Sequence, residues 1–158
     1  MLTEKDYCDY ETCVALKELG FREKCPTYYD TEDNVGLLYN TQWTSDYLPC
    51  QFTDCLESHN SNTSDYNSYV DAPTMWEAQK WLREEKRICV EVDSCAGGYV
   101  WELCKAYNKN WFSGGTTIYA EEDPNNPLLN DCGKYDSFEV ALLEGIKHAV
   151  KILKEDEI

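Results

Sequence analysis

The ten residues Asn108-Lys109-Asn110-Trp111-Phe112-Ser113-Gly114-Gly115-Thr116-Thr117 gather a lysine, two aromatic rings, two glycines and three hydroxyls. These are the residue types that cradle a phosphate or stack on a flat ligand. A phosphate loop places its glycines ahead of a Lys-Ser/Thr pair, between a strand and a helix, so that backbone N–H groups point at the anion. Here Lys109 comes before Gly114-Gly115 and a strand-like run follows them, so the order is wrong. The dinucleotide fingerprint fails too, for lack of its spacing and its helix. Glycines in a strand–strand turn explain most of the stretch; they do not explain Lys109 beside Trp111. Trp111, Tyr107 and Trp101 offer rings for stacking, and Lys109 with the amides around Gly114-Gly115 offers positive charge to an anion. A second group of cations runs through Lys80, Arg83, Lys86 and Arg87. Arg83 or Arg87 is the expected clamp, because a guanidinium meets a phosphate or carboxylate as a two-pronged fork. The expected ligand-binding set is therefore Arg83, Arg87, Trp101, Tyr107, Lys109 and Trp111.

No acid–base or nucleophilic set accompanies these residues. The two histidines are His59, in a polar stretch, and His148, within a helical pattern and expected to face outward. No metalloprotease motif, nucleophile elbow or Cys–His motif is present. The expectation is a protein without catalytic activity. The nine cysteines are odd in number, and free thiols are expected, most of them serving as small buried apolar groups. Cys8/Cys13 and Cys50/Cys55 are each separated by four residues, where structural zinc sites more often use two, and the first pair straddles a helix start. The acidic turns at Asp30, Glu32 and Asp33 and at Glu121, Glu122 and Asp123 do not fit a calcium loop. No metal and no cofactor are expected.

The chain has 158 residues and a net charge of −16, from 30 acidic and 14 basic side chains. The acid is spread along its length: 13 acids against 4 bases in residues 1–70, and 17 against 10 in residues 71–158. Such a field repels DNA, RNA and anionic lipid at long range, so a direct nucleic-acid or membrane partner is not expected. It also admits a sharper use, an acidic face that copies DNA and occupies a DNA-binding protein. The polar beginning and the lack of an apolar run long enough to span a bilayer point to the cytoplasm. Twelve tyrosines and five tryptophans exceed the needs of a core of this size, so some rings belong to a surface or cleft.

The elements that must position these residues follow from periodicity and punctuation. Residues 9–19 read as a helix stopped by Gly20 with Phe21 behind it. Residues 74–86 read as a helix opened by Thr74 with Glu77 three residues on, the capping-box spacing, and barred from backward extension by Pro73. Residues 137–154 read as a helix opened after Asp136, with Phe138, Leu142, Ile146, Ala149 and Leu153 on its core stripe. Residues 26–30 and 35–39 read as a hairpin. Ile88, Val90 and Val92 alternate with Cys89, Glu91 and Asp93 as in a half-buried strand, followed by strands at 99–107 and 116–121. The polar run from Ser58 to Ser68 reads as surface loop. The expected fold is α+β: an antiparallel sheet with helices on one face, α-β-β followed by α-β-β-β-α. The parts are residues 1–57, a polar loop at 58–72, and residues 73–158, packed as one compact domain.

Three runs carry a resemblance. Ala72-Pro73-Thr74 through Glu77-Ala78-Gln79-Lys80-Trp81-Leu82-Arg83-Glu84-Glu85, the closing Tyr135-Asp136-Ser137-Phe138-Glu139-Val140-Ala141-Leu142-Leu143-Glu144-Gly145-Ile146, and Tyr10-Glu11 through Lys17-Glu18-Leu19-Gly20-Phe21 resemble segments of short accessory proteins of gut bacteriophages and their Bacteroides-type hosts. The resemblance covers about half the chain and brings no catalytic motif. It implies a phage protein of the host cytoplasm that acts by binding. Joined to the rings and cations, the expectation is a homo-oligomer that sequesters a small nucleotide-derived defence signal. The alternative is an acidic inhibitor of a host defence or regulatory protein.

Overall fold

The structure, a computed structural model, describes residues 3–23, 25, 27–30, 69–95, 97–105, 116–120 and 134–155. It is α+β, with helices and two small antiparallel sheets, and it divides into two units, Met1–Thr74 and Met75–Ile158.

In the first unit, α1 (Tyr10–Glu18) is capped by Asp9, whose carboxylate accepts from the Thr12 N–H at 3.0 Å. Its other end is a Schellman stop. Gly20 takes φ +97°, the Gly20 N–H donates to the Lys17 carbonyl, and the Phe21 N–H donates back to the Leu16 carbonyl. Leu16 and Phe21 are both fully buried, which supplies the apolar clasp that closes such a stop. A two-stranded sheet joins β1 (Tyr28–Asp30) to β2 (Tyr69–Asp71). The partner of residues 28–30 is thus found at 69–71, and the 35–39 strand of the expected hairpin lies outside the described residues. Residues 69–71 belong to this sheet and not to the expected polar loop. Val70 and Asp71 are buried, and Ala72 is tied by its N–H to the Thr27 carbonyl and by its carbonyl to the Thr27 hydroxyl. A short polar approach masked this strand, because three residues are too few to show a period.

The second unit has the order expected, α-β-β-β-α. It comprises α2 (Met75–Glu85), β3 (Ile88–Cys95), β4 (Gly98–Lys105), β5 (Thr116–Ala120) and α3 (Phe138–Lys154). The strands form a meander in the order β3-β4-β5, with β3 and β4 joined at the Cys95↔Gly98 pair and Gly98 at φ +148°. A register shift between Leu103 and Cys104 bends β4 where it meets β5. The helices touch each other, and both lie against β3. The core is made by Ile88, Val90, Trp101 and Leu103 from the sheet, Ala78, Trp81 and Leu82 from α2, and Leu142, Ile146 and Ala149 from α3.

The start of α3 differs by one residue from the sequence reading. Ser137, not Asp136, is the cap, its hydroxyl accepting from the Val140 N–H at 3.2 Å. The buried stripe is also broader, taking in Ala141, Gly145, Val150 and Ile152, while Phe138 and Leu153 are only half-buried. A helix lying over a twisted sheet buries a wide band, not a single row.

Candidate functional site

The second unit brings chemistry-bearing residues to two places. The first is the outward side of α2. Trp76, Lys80 and Arg83 recur at four-then-three spacing, so they share one stripe of the helix. All three are exposed, Trp76 by 40% of its surface. Arg83 lies 3.7 Å from the Glu84 carboxylate, with both side chains about half exposed, a weak pairing. Just past the helix, the Lys86 N–H still reaches the Leu82 carbonyl, and its ammonium stands 5.1 Å from the centre of the Trp81 ring. Arg87 follows, exposed and at φ +62°. The equivalent residue of α1 is Gly20. A side chain in this left-handed position costs about 1 kcal/mol that glycine avoids.

The second place is the sheet face turned away from α3. Side chains alternate along β3 and β4, so Ile88, Val90, Trp101 and Leu103 point to the helices, and Cys89, Glu91, Glu102 and Cys104 point the other way. In register, Cys89 stands opposite Cys104 and Glu91 opposite Glu102. The donor atoms of Glu91, Glu102 and Cys104 lie within 4.8 Å of one another, and the Cys104 thiol donates to Glu102 at 3.4 Å. Burial pushes the Cys89 thiol above its usual range; Glu91 adds to the shift and Arg83 opposes it.

The sequence-derived ligand set divides accordingly. Arg83 and Arg87 fall on one helix and its exit, and both are exposed. Trp101 requires correction, since it is only 5% exposed. Its ring packs against His148 (centroids 5.1 Å apart), its Nε1–H donates to the Tyr135 hydroxyl at 3.2 Å, and α3 crosses it at Gly145. It is a core ring, with no face left for a ligand. Tyr135 is held for that bond by backbone pairing of residues 134 and 135 with Tyr99 at the start of β4. The same contact corrects His148, which is half-buried and turned to the sheet, not outward. Tyr107, Lys109 and Trp111 lie outside the described residues, as do His59, Cys50, Cys55, Cys132 and the acidic turn at 121–123. Trp76 was missed, although its signal was legible: it precedes Lys80 and Arg83 on a stripe that carries no other apolar residue.

In the first unit, Cys8, Cys13 and Cys25 are buried free thiols, as small apolar side chains would be. Burial pushes the Cys13 thiol well above its usual range, with repulsion from Cys8, Cys25, Asp9 and Asp71 added. A raised native pKa favours the neutral thiol in the fold. The stability it contributes is therefore complete below the unfolded value of about 8.5 and is lost as pH rises beyond it. The expected loss from Cys13 is about 1.4 kcal/mol per pH unit above about pH 8.5. Urea unfolding between pH 8 and 10 checks this: the slope should fall by that amount in a Cys13→Ala variant.

No known family, curated protein or solved structure matches this chain. Among the described residues, no helix is long and apolar enough to cross a membrane.

Proposed function

We propose that this chain is a non-enzymatic binding protein that sequesters a small nucleotide-type anion, in the manner of a phage accessory protein acting on a host defence signal. The observation that carries the reading is the outward side of α2, where an exposed ring and two exposed cations share a stripe that ends at Arg87. Trp76 stands seven residues before Arg83, roughly 10 Å along the helix, which suits a base at one end and phosphates at the other. Tyr107, Lys109 and Trp111 complete the reading on sequence grounds alone. Calorimetry against cyclic and ADP-ribose-type nucleotides tests it, and no heat with any of them sinks it.

Arg87 allows a sharper check. Arg87→Gly should raise stability by about 1 kcal/mol, because it relieves the left-handed backbone, and should weaken nucleotide binding by about tenfold or more. A purely structural Arg87 would give the first effect without the second. Trp76→Ala should weaken binding at little cost to the fold.

The alternative, an acidic inhibitor of a host protein, needs acids ranked along one face. Among the described residues, the exposed acids of the second unit are divided between α2 (Glu77, Glu84, Glu85), the strand β3 (Glu91, Asp93) and the two ends of α3 (Asp136, Glu155), which favours the ligand reading.

A further inference from the structure

Two consecutive rungs of the β3–β4 ladder hold four metal-ligating side chains on one face, Cys89 opposite Cys104 and Glu91 opposite Glu102. This grouping is independent of the α2 stripe. Two glutamates directly across a ladder repel each other. Among the described residues, neither is paired with a lysine or arginine. The core residues named above lie on the other face of the sheet. A thiol is nevertheless drawn into the pair: Cys104 is 8% exposed and its Sγ lies 3.4 Å from a Glu102 oxygen. The carboxylate oxygens of Glu91 and Glu102 and the sulfur of Cys104 already fall within 4.8 Å of one another.

We propose that this face is a binding site for a borderline-soft divalent cation of the zinc class, with Cys104, Glu102 and Glu91 as ligands and Cys89 as the fourth. The cation removes the glutamate–glutamate repulsion, which is the cost of the face without it. Bonds of about 2.3 Å to sulfur and about 2.0 Å to oxygen bring neighbouring donors to roughly 3.3–3.8 Å. The Cys104–Glu102 pair is already at that spacing, and the remaining separations, none above 4.8 Å, close by rotamer adjustment on an intact ladder. Cys89 stands across the ladder from Cys104, but its sulfur lies outside this cluster of three donors and must swing in to serve as the fourth ligand. Sulfur ligands select zinc-class ions over calcium and magnesium. Each thiol releases its proton on binding. Exposed Glu91 gives the ion its entry.

The test uses the full chain, stripped of metal and kept reduced with a non-chelating phosphine. Cobalt(II) is titrated in and then displaced by zinc. The expected result is one cobalt per chain, with a thiolate-to-cobalt charge-transfer band and the strong visible bands of tetrahedral coordination, both lost on adding zinc. Cys104→Ser and Cys89→Ser should each diminish the charge-transfer band. Glu102→Gln and Glu91→Gln should each weaken cobalt binding by more than about tenfold, the loss that even outer-sphere partners produce. Glu91 is exposed, so its variant separates a lost ligand from a lost fold, and circular dichroism verifies the fold of each. Glu11→Gln, on α1, should leave binding unchanged. The proposal is overturned if no thiolate band forms, if the band survives both serine variants undiminished, or if the two glutamine variants bind cobalt as tightly as the parent.

Discussion

Trp101→Ala is expected to destabilise the second unit by about 3–5 kcal/mol, the range for removing a buried aromatic ring. Three contacts are lost together: the packing of the ring under α3 at Gly145, its contact with His148, and the Nε1–H bond to the Tyr135 hydroxyl. A 5% exposed tryptophan cannot be replaced by water, so the hole is empty unless α3 settles into it. Trp101→Phe should cost less, about 1–2 kcal/mol, because a ring remains and half-buried Tyr135 can turn its hydroxyl to solvent. Urea midpoints followed by far-ultraviolet circular dichroism measure both. The pair also separates two roles for the residue. If Trp101 stacked on a ligand, the phenylalanine variant would lose affinity along with stability. A core ring predicts unchanged nucleotide affinity in Trp101→Phe, while Trp76→Ala loses affinity and keeps its stability.

Gly145→Ala should destabilise the same unit by about 1–3 kcal/mol, although alanine is the better helix former by about 1 kcal/mol. A Cβ at position 145 would come within 2.6 Å of Val90 Cγ1 and 3.3 Å of Trp101 Cβ and Cγ. Val90 branches at Cβ and sits in a strand, so its methyl cannot swing aside, and the Trp101 atoms lie close to its backbone. The helix must lift from the sheet, loosening Leu142, Ile146 and Ala149 along with it. A double-mutant cycle with Val90→Ala identifies the cause. Removing that methyl should make Gly145→Ala less costly than in the parent, and strictly additive effects would exclude the clash. Glycine at this place is a packing device. Its φ is not in the left-handed region, in contrast to Gly20, whose φ of +97° holds the end of α1.

Much of the fold was written in local patterns. Gly20 and Phe21 announced the end of α1, and the alternation of Ile88, Val90 and Val92 announced β3. The stripe through Leu142, Ile146 and Ala149 announced the buried side of α3. Each is a signal confined to a few neighbouring residues, and propensity, capping and period act at that range. The misreadings share another character. Ser137 took the cap from Asp136 because both residues suit it and only the direction of chain entry chooses between them. Tyr69–Asp71 became a strand because residues some forty positions earlier offered a partner edge.

By itself the sequence determined the α+β class, the α-β-β-β-α order of the second unit, the acidic field and the candidacy of Arg83 and Arg87 at a helix end. These depend on composition and on spacing along one element. Tertiary structure alone decided that Trp101 belongs to the core, since the strand alternation gives Trp101 a face but not what covers it. It also decided that Gly145 must stay small and that Cys89, Glu91, Glu102 and Cys104 share two rungs. Two antiparallel strands slipped by one residue would carry the same sequence and bring different pairs together. Register and the element laid across it are long-range facts, and the candidate site on the β3–β4 face rests on the first of them.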